Sequence, residues 1–183
     1  MEKLVLTTPI GKSEWFSLMK TDKFGNYTCD LILEDEPATH KLLSQIKDFA
    51  KGEKINFVKK LEDGRFKLRM RLKSQGTKKD GTTYQVNPPA IYNAMGGRVS
   101  GTELASLSVG NGSEIRAKIQ LALWSMAGRS GVSCKPLSVQ IKTLVQFNGD
   151  SADLGFDALE VQNCNVETEE QEQVADVQDE YDF

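Results

Sequence analysis

Strict alternation dominates one stretch of the chain. From Phe66 to Lys73 the residues read Phe, Lys, Leu, Arg, Met, Arg, Leu, Lys. Successive side chains of a strand point to opposite faces, so this stretch predicts a strand that buries Phe66, Leu68, Met70 and Leu72. Tyr27, Cys29, Leu31 and Leu33 alternate with Thr28, Asp30 and Ile32, after a turn at Gly25 and Asn26, and predict a second strand. Between them the period changes. Leu42, Leu43, Ile46, Phe49 and Ala50 form a stripe at helical spacing, with Pro37 in the first turn and Gly52 after the last, so a helix over 37–51 is expected. A strand over 55–61 should reach the two-residue turn of Asp63 and Gly64 and return as the alternating strand. Asp80 and Gly81 mark a turn before a strand over 82–86, which Pro88 and Pro89 end. Gly96, Gly97, Gly101, Gly110 and Gly112 punctuate a loop-rich stretch. Two long strands, 113–125 and 132–147, are joined near Gly128 and Gly131. Five to seven strands with one helix point to a small antiparallel barrel or sandwich.

The chain has 183 residues, enough to bury one core. No apolar run approaches the roughly 20 residues of a spanning helix. The apolar start, residues 1–6, is too short for a secretory segment and is stopped by Pro9. Cys29, Cys134 and Cys164 are odd in number and far apart, which fits free thiols in a reducing cytoplasm. With a single histidine, His40, no structural metal or cofactor is expected.

Catalytic equipment is not visible. Gly11, Lys12 and Ser13 imitate the end of a phosphate-binding loop, but Leu6 stands where that loop needs glycine. His40 lies off the apolar stripe and is expected to face solvent, so a nucleophile would have only this one weakly placed base. Glu34, Asp35 and Glu36 precede the helix and suit its N-terminus electrostatically. A non-enzymatic protein is expected.

Charge is strongly polarised. Residues 1–149 hold all 23 Lys and Arg against 14 acids, a surplus of +9; residues 150–183 hold 12 acids and no base. The first segment is therefore read as a basic binding domain and the second as an acidic tail. From about residue 166 the tail is too polar to offset its chain entropy, so it is expected to be disordered. It ends in Asp179, Glu180, Tyr181, Asp182 and Phe183, and a merely solvating tail needs no aromatics.

On the alternating strand Lys67, Arg69, Arg71 and Lys73 share one face at about 6.6 Å spacing, which costs repulsion unless an anion covers them. Lys59, Lys60, Lys78 and Lys79 flank that strand in sequence, and Arg116 and Lys118 alternate with Ile115, Ala117 and Ile119. A solvated face with its cations offset by neighbouring acids is the competing reading. Tyr84, Tyr92 and Trp124 lie in or beside polar segments, and Trp124 falls in phase with Arg116 and Lys118. Aromatics on a basic face suit base stacking, although each singly fits core packing equally well. Phe49, Phe57 and Phe66 fit core positions, and Trp15 beside Phe16 carries no signal.

The ordered combination resembles a known family. Gly110 through Ala117, then Gly131, Val132 and Ser133, then Leu137, Ser138, Val139, Gln140 and Ile141 are similar to barrel strands of podovirus-type phage single-stranded DNA-binding proteins. Pro88, Pro89, Ala90, Ile91 and Tyr92 resemble the segment preceding them, and the acidic tail ending in Phe183 resembles the family's tail. The likeness covers residues 54–147 and the last few. It implies a mainly β, OB-fold-like antiparallel barrel with one α-helix and a disordered acidic tail. It further implies binding of single-stranded DNA with little sequence preference, in phage replication, recombination and repair. Phosphates would meet Lys59, Lys60, Lys67, Arg69, Arg71, Lys73, Lys78, Lys79, Arg116 and Lys118; bases would meet Tyr84, Tyr92 and Trp124. The tail would compete with DNA and recruit replication proteins such as a phage DNA polymerase, in the host cytoplasm and away from membranes. A homodimer is left open. The alternatives are an acidic-tailed chaperone or adaptor for basic proteins and a strand-annealing recombination protein.

Overall fold

The computed structural model describes residues 2–78, 80–126 and 128–146. Ten strands and two helices run in the order β1 (Lys3–Thr7), β2 (Gly11–Ser17), β3 (Asn26–Leu33), α1 (Pro37–Ala50), β4 (Val58–Lys60), β5 (Phe66–Lys73), β6 (Gln75–Thr77), β7 (Thr83–Gln85), β8 (Ala90–Tyr92), α2 (Gly101–Ser106), β9 (Glu114–Met126) and β10 (Arg129–Thr143). Eight strands form one sheet, ordered β4-β5-β3-β2-β9-β10-β8 with β1 added on β9; β6 and β7 form a separate hairpin. Pairing is antiparallel except for β8, which runs parallel to β10. The sheet curls without closing. A lone bridge between Ile55 and Val132, with the Val132 N–H donating to the Lys54 carbonyl at 3.2 Å, spans the seam.

The strongest sequence patterns fold as read. On β5, Leu68 and Met70 are fully buried while Arg69, Arg71 and Lys73 are exposed. Phe66 and Leu72, at its two ends, are only half-buried. Helix α1 takes Pro37 in its first turn and stops at Ala50, because Lys51 and Gly52 adopt left-handed backbone. Thr39, Leu42, Ile46, Phe49 and Ala50 are its buried face; Leu43, at the margin, is half-buried. Leu42, Ile46, Phe49 and Ala50 join Leu31, Leu33, Leu68, Met70, Ile115, Ile119, Leu121 and Val139 in one core, each large apolar side chain contributing about 1.5–3 kcal/mol on burial. A turn forms at Asp63 and Gly64 but takes three residues, 62–64, rather than two: the Leu61 N–H donates to the Arg65 carbonyl at 2.8 Å, Gly64 holds φ +92°, and the Asp63 carboxylate accepts the Arg65 N–H at 3.1 Å.

Weaker patterns were misjudged. The expected strand over 55–61 shrinks to β4, since Ile55 is spent on the β10 seam before the chain reaches β5. The strand over 82–86 is a three-residue arm, β7, whose partner β6 carries no apolar alternation to reveal it. The loop-rich stretch contains β8 and α2, both too short to show a period. Strand β10 starts at Arg129 rather than at Val132 and takes in Gly131, a residue its pattern places in the turn. Its register shifts between Pro136 and Ser138, where proline has no N–H to give the ladder. Among the described residues no helix is long and apolar enough to cross a membrane. The expected tail of residues 150–183 lies outside the described residues.

Both described cysteines are sealed in this core. Burial pushes the Cys134 thiol up to about 12, and raises the Cys29 thiol further with help from the neighbouring Asp30 charge. The thiolate is the reactive form, so neither should react at neutral pH. Ellman titration followed by peptide mapping should find Cys29 and Cys134 unmodified in the folded protein and modified only in denaturant. Rapid labelling of either without denaturant would contradict this packing.

Candidate nucleic-acid interface

The outward face of β5 carries its cations in two different states. Asp30 on β3 stands opposite Arg69 in the ladder and is buried. Its two carboxylate oxygens accept from Arg69 Nε and Nη2, both at 2.7 Å. Lys67 Nζ donates to Glu14 Oε2 at 2.7 Å and lies 3.8 Å from Asp30 Oδ2. The offsetting acids of the competing reading are therefore present on this half of the strand. Arg69 nonetheless keeps 64% of its side chain exposed. Arg71 and Lys73 make no ion pair with any described residue. The charge of Arg71 does reach Asp22, whose carboxyl is held low mainly by the Asn26 N–H.

These cations form one wall of a groove of about 910 Å³. Arg69, Arg71 and Lys73 come from β5; Tyr84 comes from the β6–β7 hairpin; Trp124, Met126 and Lys135 come from β9 and β10. Asn56 and Phe57 complete it from the segment before β4. Tyr84 is 48% exposed and Trp124 37%. Among the described residues four cations and no carboxylate line this space. Such a lining suits a polyanion that also carries flat apolar rings.

The other expected contact residues are elsewhere. Tyr92, Arg116 and Lys118 line a second, smaller cavity of about 400 Å³. There Arg116 Nε donates to Gln140 Oε1 at 2.8 Å, and Gln140 Nε2 donates to the Asn93 and Ala94 carbonyls, both at 3.0 Å. Lys59 and Lys60 are exposed on β4 at the sheet edge, with the Lys60 ammonium 5.6 Å from the centre of the Phe66 ring. Lys78 is exposed in the β6–β7 turn. His40 faces solvent as expected, 2.6 Å from Asp35. Lys79 and the tail residues Asp179, Glu180, Tyr181, Asp182 and Phe183 lie outside the described residues.

Several groove residues escaped the sequence reading. Phe57 packs against the core, as its position predicts, and also lines the groove. Lys135 and Met126 stand at positions with no distinguishing local pattern. Outside the groove, Trp15 is 72% exposed. The ladder pairs Glu14 with Asp30 and Ser17 with Thr28, so Trp15 and Phe16 together oppose Cys29. That bulge breaks the alternation set by buried Gly11 and Ser13, turning Trp15 outward while Phe16 packs on the core. Trp15 holds φ +51°, and its N–H donates to Asn111 Oδ1 at 2.9 Å.

No protein-family model matches the chain, and no curated protein sequence matches it significantly. Solved structures do resemble it. The gp2.5 single-stranded DNA-binding protein encoded by bacteriophage T7 superposes with a TM-score of 0.67 at 19% identity, over 96% of this chain and 100% of that one. The single-stranded DNA-binding protein of bacteriophage Enc34 gives 0.56 at 15% identity, over 82% and 88% of the two chains. Its complex with single-stranded DNA gives 0.55 at 15% identity, over 78% and 88%. The chain thus has the fold of these phage single-stranded DNA-binding proteins, a mainly β, OB-fold-like open barrel with one main helix.

Proposed function

We propose that this protein binds single-stranded DNA with little sequence preference, without catalysis, in the groove between β5, the β6–β7 hairpin and the β9–β10 end. One observation carries the reading. One groove, with no acid among its described lining residues, gathers Arg69, Arg71 and Lys73 from one strand with Tyr84 and Trp124 from two others. The cations attract phosphates by releasing counterions, and the rings stack bases at roughly 1–3 kcal/mol each, whatever the base. Stacking needs unpaired bases, so single strands are preferred over duplex. That both solved relatives are described as single-stranded DNA-binding proteins, one of them in complex with single-stranded DNA, supports the same reading. Lys59, Lys60, Lys67 and Lys78 extend the positive field around the groove. Tyr92 on β8 and Arg116 and Lys118 on β9 form a second contact region. In phage replication and recombination, residues 1–149 would hold the DNA while the acidic tail of 150–183 competes for the groove and recruits replication proteins.

Titration of labelled oligo-dT separates charge from stacking. Arg71→Ala combined with Lys73→Ala should weaken binding and flatten the salt slope by about 1.4, given about 0.7 per phosphate neutralised on single strands. Trp124→Ala should weaken binding with that slope unchanged. Folded variants that bind like the parent, or duplex of equal length competing equally, would reject the groove.

Deleting residues 167–183 removes eight acids. The shortened protein should bind oligo-dT more tightly at low salt, and the advantage should fade towards 1 M salt, where screening acts within about 3 Å. Unchanged affinity at low salt would reject competition by the tail.

A further inference from the structure

Glycine is usually explained by its backbone. Gly25, Gly52, Gly64, Gly81, Gly96, Gly101, Gly112 and Gly128 all hold positive φ, where a side chain is strained. Gly76 and Gly131 do not, so another residue could adopt their backbone conformations. Their constraint is a neighbouring ring. Gly76 is the ladder partner of Tyr84, and Gly131 is the ladder partner of Trp124. A Cβ at Gly76 would fall 2.6 Å from Tyr84 Cε1 and closer still to Cζ and Oη. A Cβ at Gly131 would meet Trp124 Cζ2 at 3.1 Å and Cε2 at 3.3 Å. In each pair the ring leans across the ladder and fills the space a side chain would occupy. Both glycines have an aromatic ring as nearest neighbour; Gly76, Tyr84 and Trp124 line the groove, and Gly131 stands behind Trp124 on the ladder.

We propose that Gly76 and Gly131 are positioning residues for DNA binding, each laying a stacking ring down against the sheet so that its other side opens to the groove. The inference rests on the groove reading above and assigns the glycines a part in it. Cross-strand pairs of this kind let an aromatic cover a glycine that contributes no side-chain contact of its own. With a β-carbon at Gly76 the Tyr84 ring must swing off the strand pair, into the volume a base would use; at Gly131 the Trp124 ring must lift by a few tenths of an ångström. The two platforms belong to different sheets, Tyr84 to the hairpin and Trp124 to the barrel, so either can be tested without the other.

Gly76 gives the cleaner test, because all three atoms nearest its Cβ position belong to Tyr84, whereas Gly131 also lies 3.2 Å from the Lys54 carbonyl at the barrel seam. A double-mutant cycle in the full-length protein would measure oligo-dT affinity for the parent, Gly76→Ala, Tyr84→Ala and the double variant. Tyr84→Ala should weaken binding about tenfold, within the range of one stacked base. Gly76→Ala should weaken it several-fold at an unchanged salt slope, and should add nothing once Tyr84 is gone. Multiplying losses, or a Gly76→Ala protein that binds like the parent while Tyr84→Ala does not, would overturn the proposal. Binding unaffected by Tyr84→Ala would instead remove the stacking reading at this ring.

A second readout needs no DNA. The chain has two tryptophans, so Trp15→Phe leaves Trp124 as the sole emitter. In that background Gly131→Ala should raise acrylamide quenching of Trp124 fluorescence. Unchanged quenching would overturn the role of Gly131 whatever the DNA titrations give.

Discussion

The register of β3 against β5 is the constraint on which the rest depends. It runs without a break from Asn26 opposite Lys73 to Leu33 opposite Phe66. On one side it stacks Cys29, Leu31, Leu33, Leu68 and Met70 into the core beneath α1. On the other it sets Asp30 opposite Arg69 and leaves Arg71 and Lys73 facing the groove. A slip of one residue would send the cations inward and the core outward, so burial alone fixes where the charges point.

From that strand the groove is assembled by addition. The chain leaves β5 through Ser74, whose N–H and Oγ both donate to the Gly25 carbonyl, at 2.9 and 2.8 Å. It then turns out into the β6–β7 hairpin, and the Val86 N–H returns to the Ser74 carbonyl at 2.7 Å. Tyr84 is thereby held opposite the end of the long β9–β10 ladder, where Trp124 sits. The ion pairs at Asp30 and Glu14 restrain one half of β5, while Arg71 and Lys73 on the other half pair with no described acid. Fixed rings beside unneutralised cations are what sequence-tolerant binding of a single strand requires.

What the sequence disclosed follows from how long each pattern lasts. Strand β5 and helix α1 were legible because their periods persist over 8 and 14 residues with capping or turn residues at the ends. Strand β2 was not, since a bulge at Trp15 cancels its alternation and no residue type announces it. The hairpin arm β6 was invisible because Gln75, Gly76 and Thr77 bury nothing that alternates. For the interface, strand phase correctly put Trp124 on the same side of β9 as Arg116 and Lys118. Phase carries no information about distance along the strand. Eight residues separate Trp124 from Arg116, about 26 Å at the rise of a strand, and the structure places them in separate cavities. The pairing of each ring with a facing glycine needs the register of two strands, which no local pattern supplies.

In the proposed complex, bases lie in the groove between Tyr84 and Trp124. Photocross-linking with an oligo-dT carrying 5-iododeoxyuridine, followed by mass-spectrometric mapping of the adducts, tests it most directly. The account predicts adducts on the peptides containing Tyr84 and Trp124. Adducts confined to the peptide containing Tyr92, or to residues outside both cavities, would contradict it.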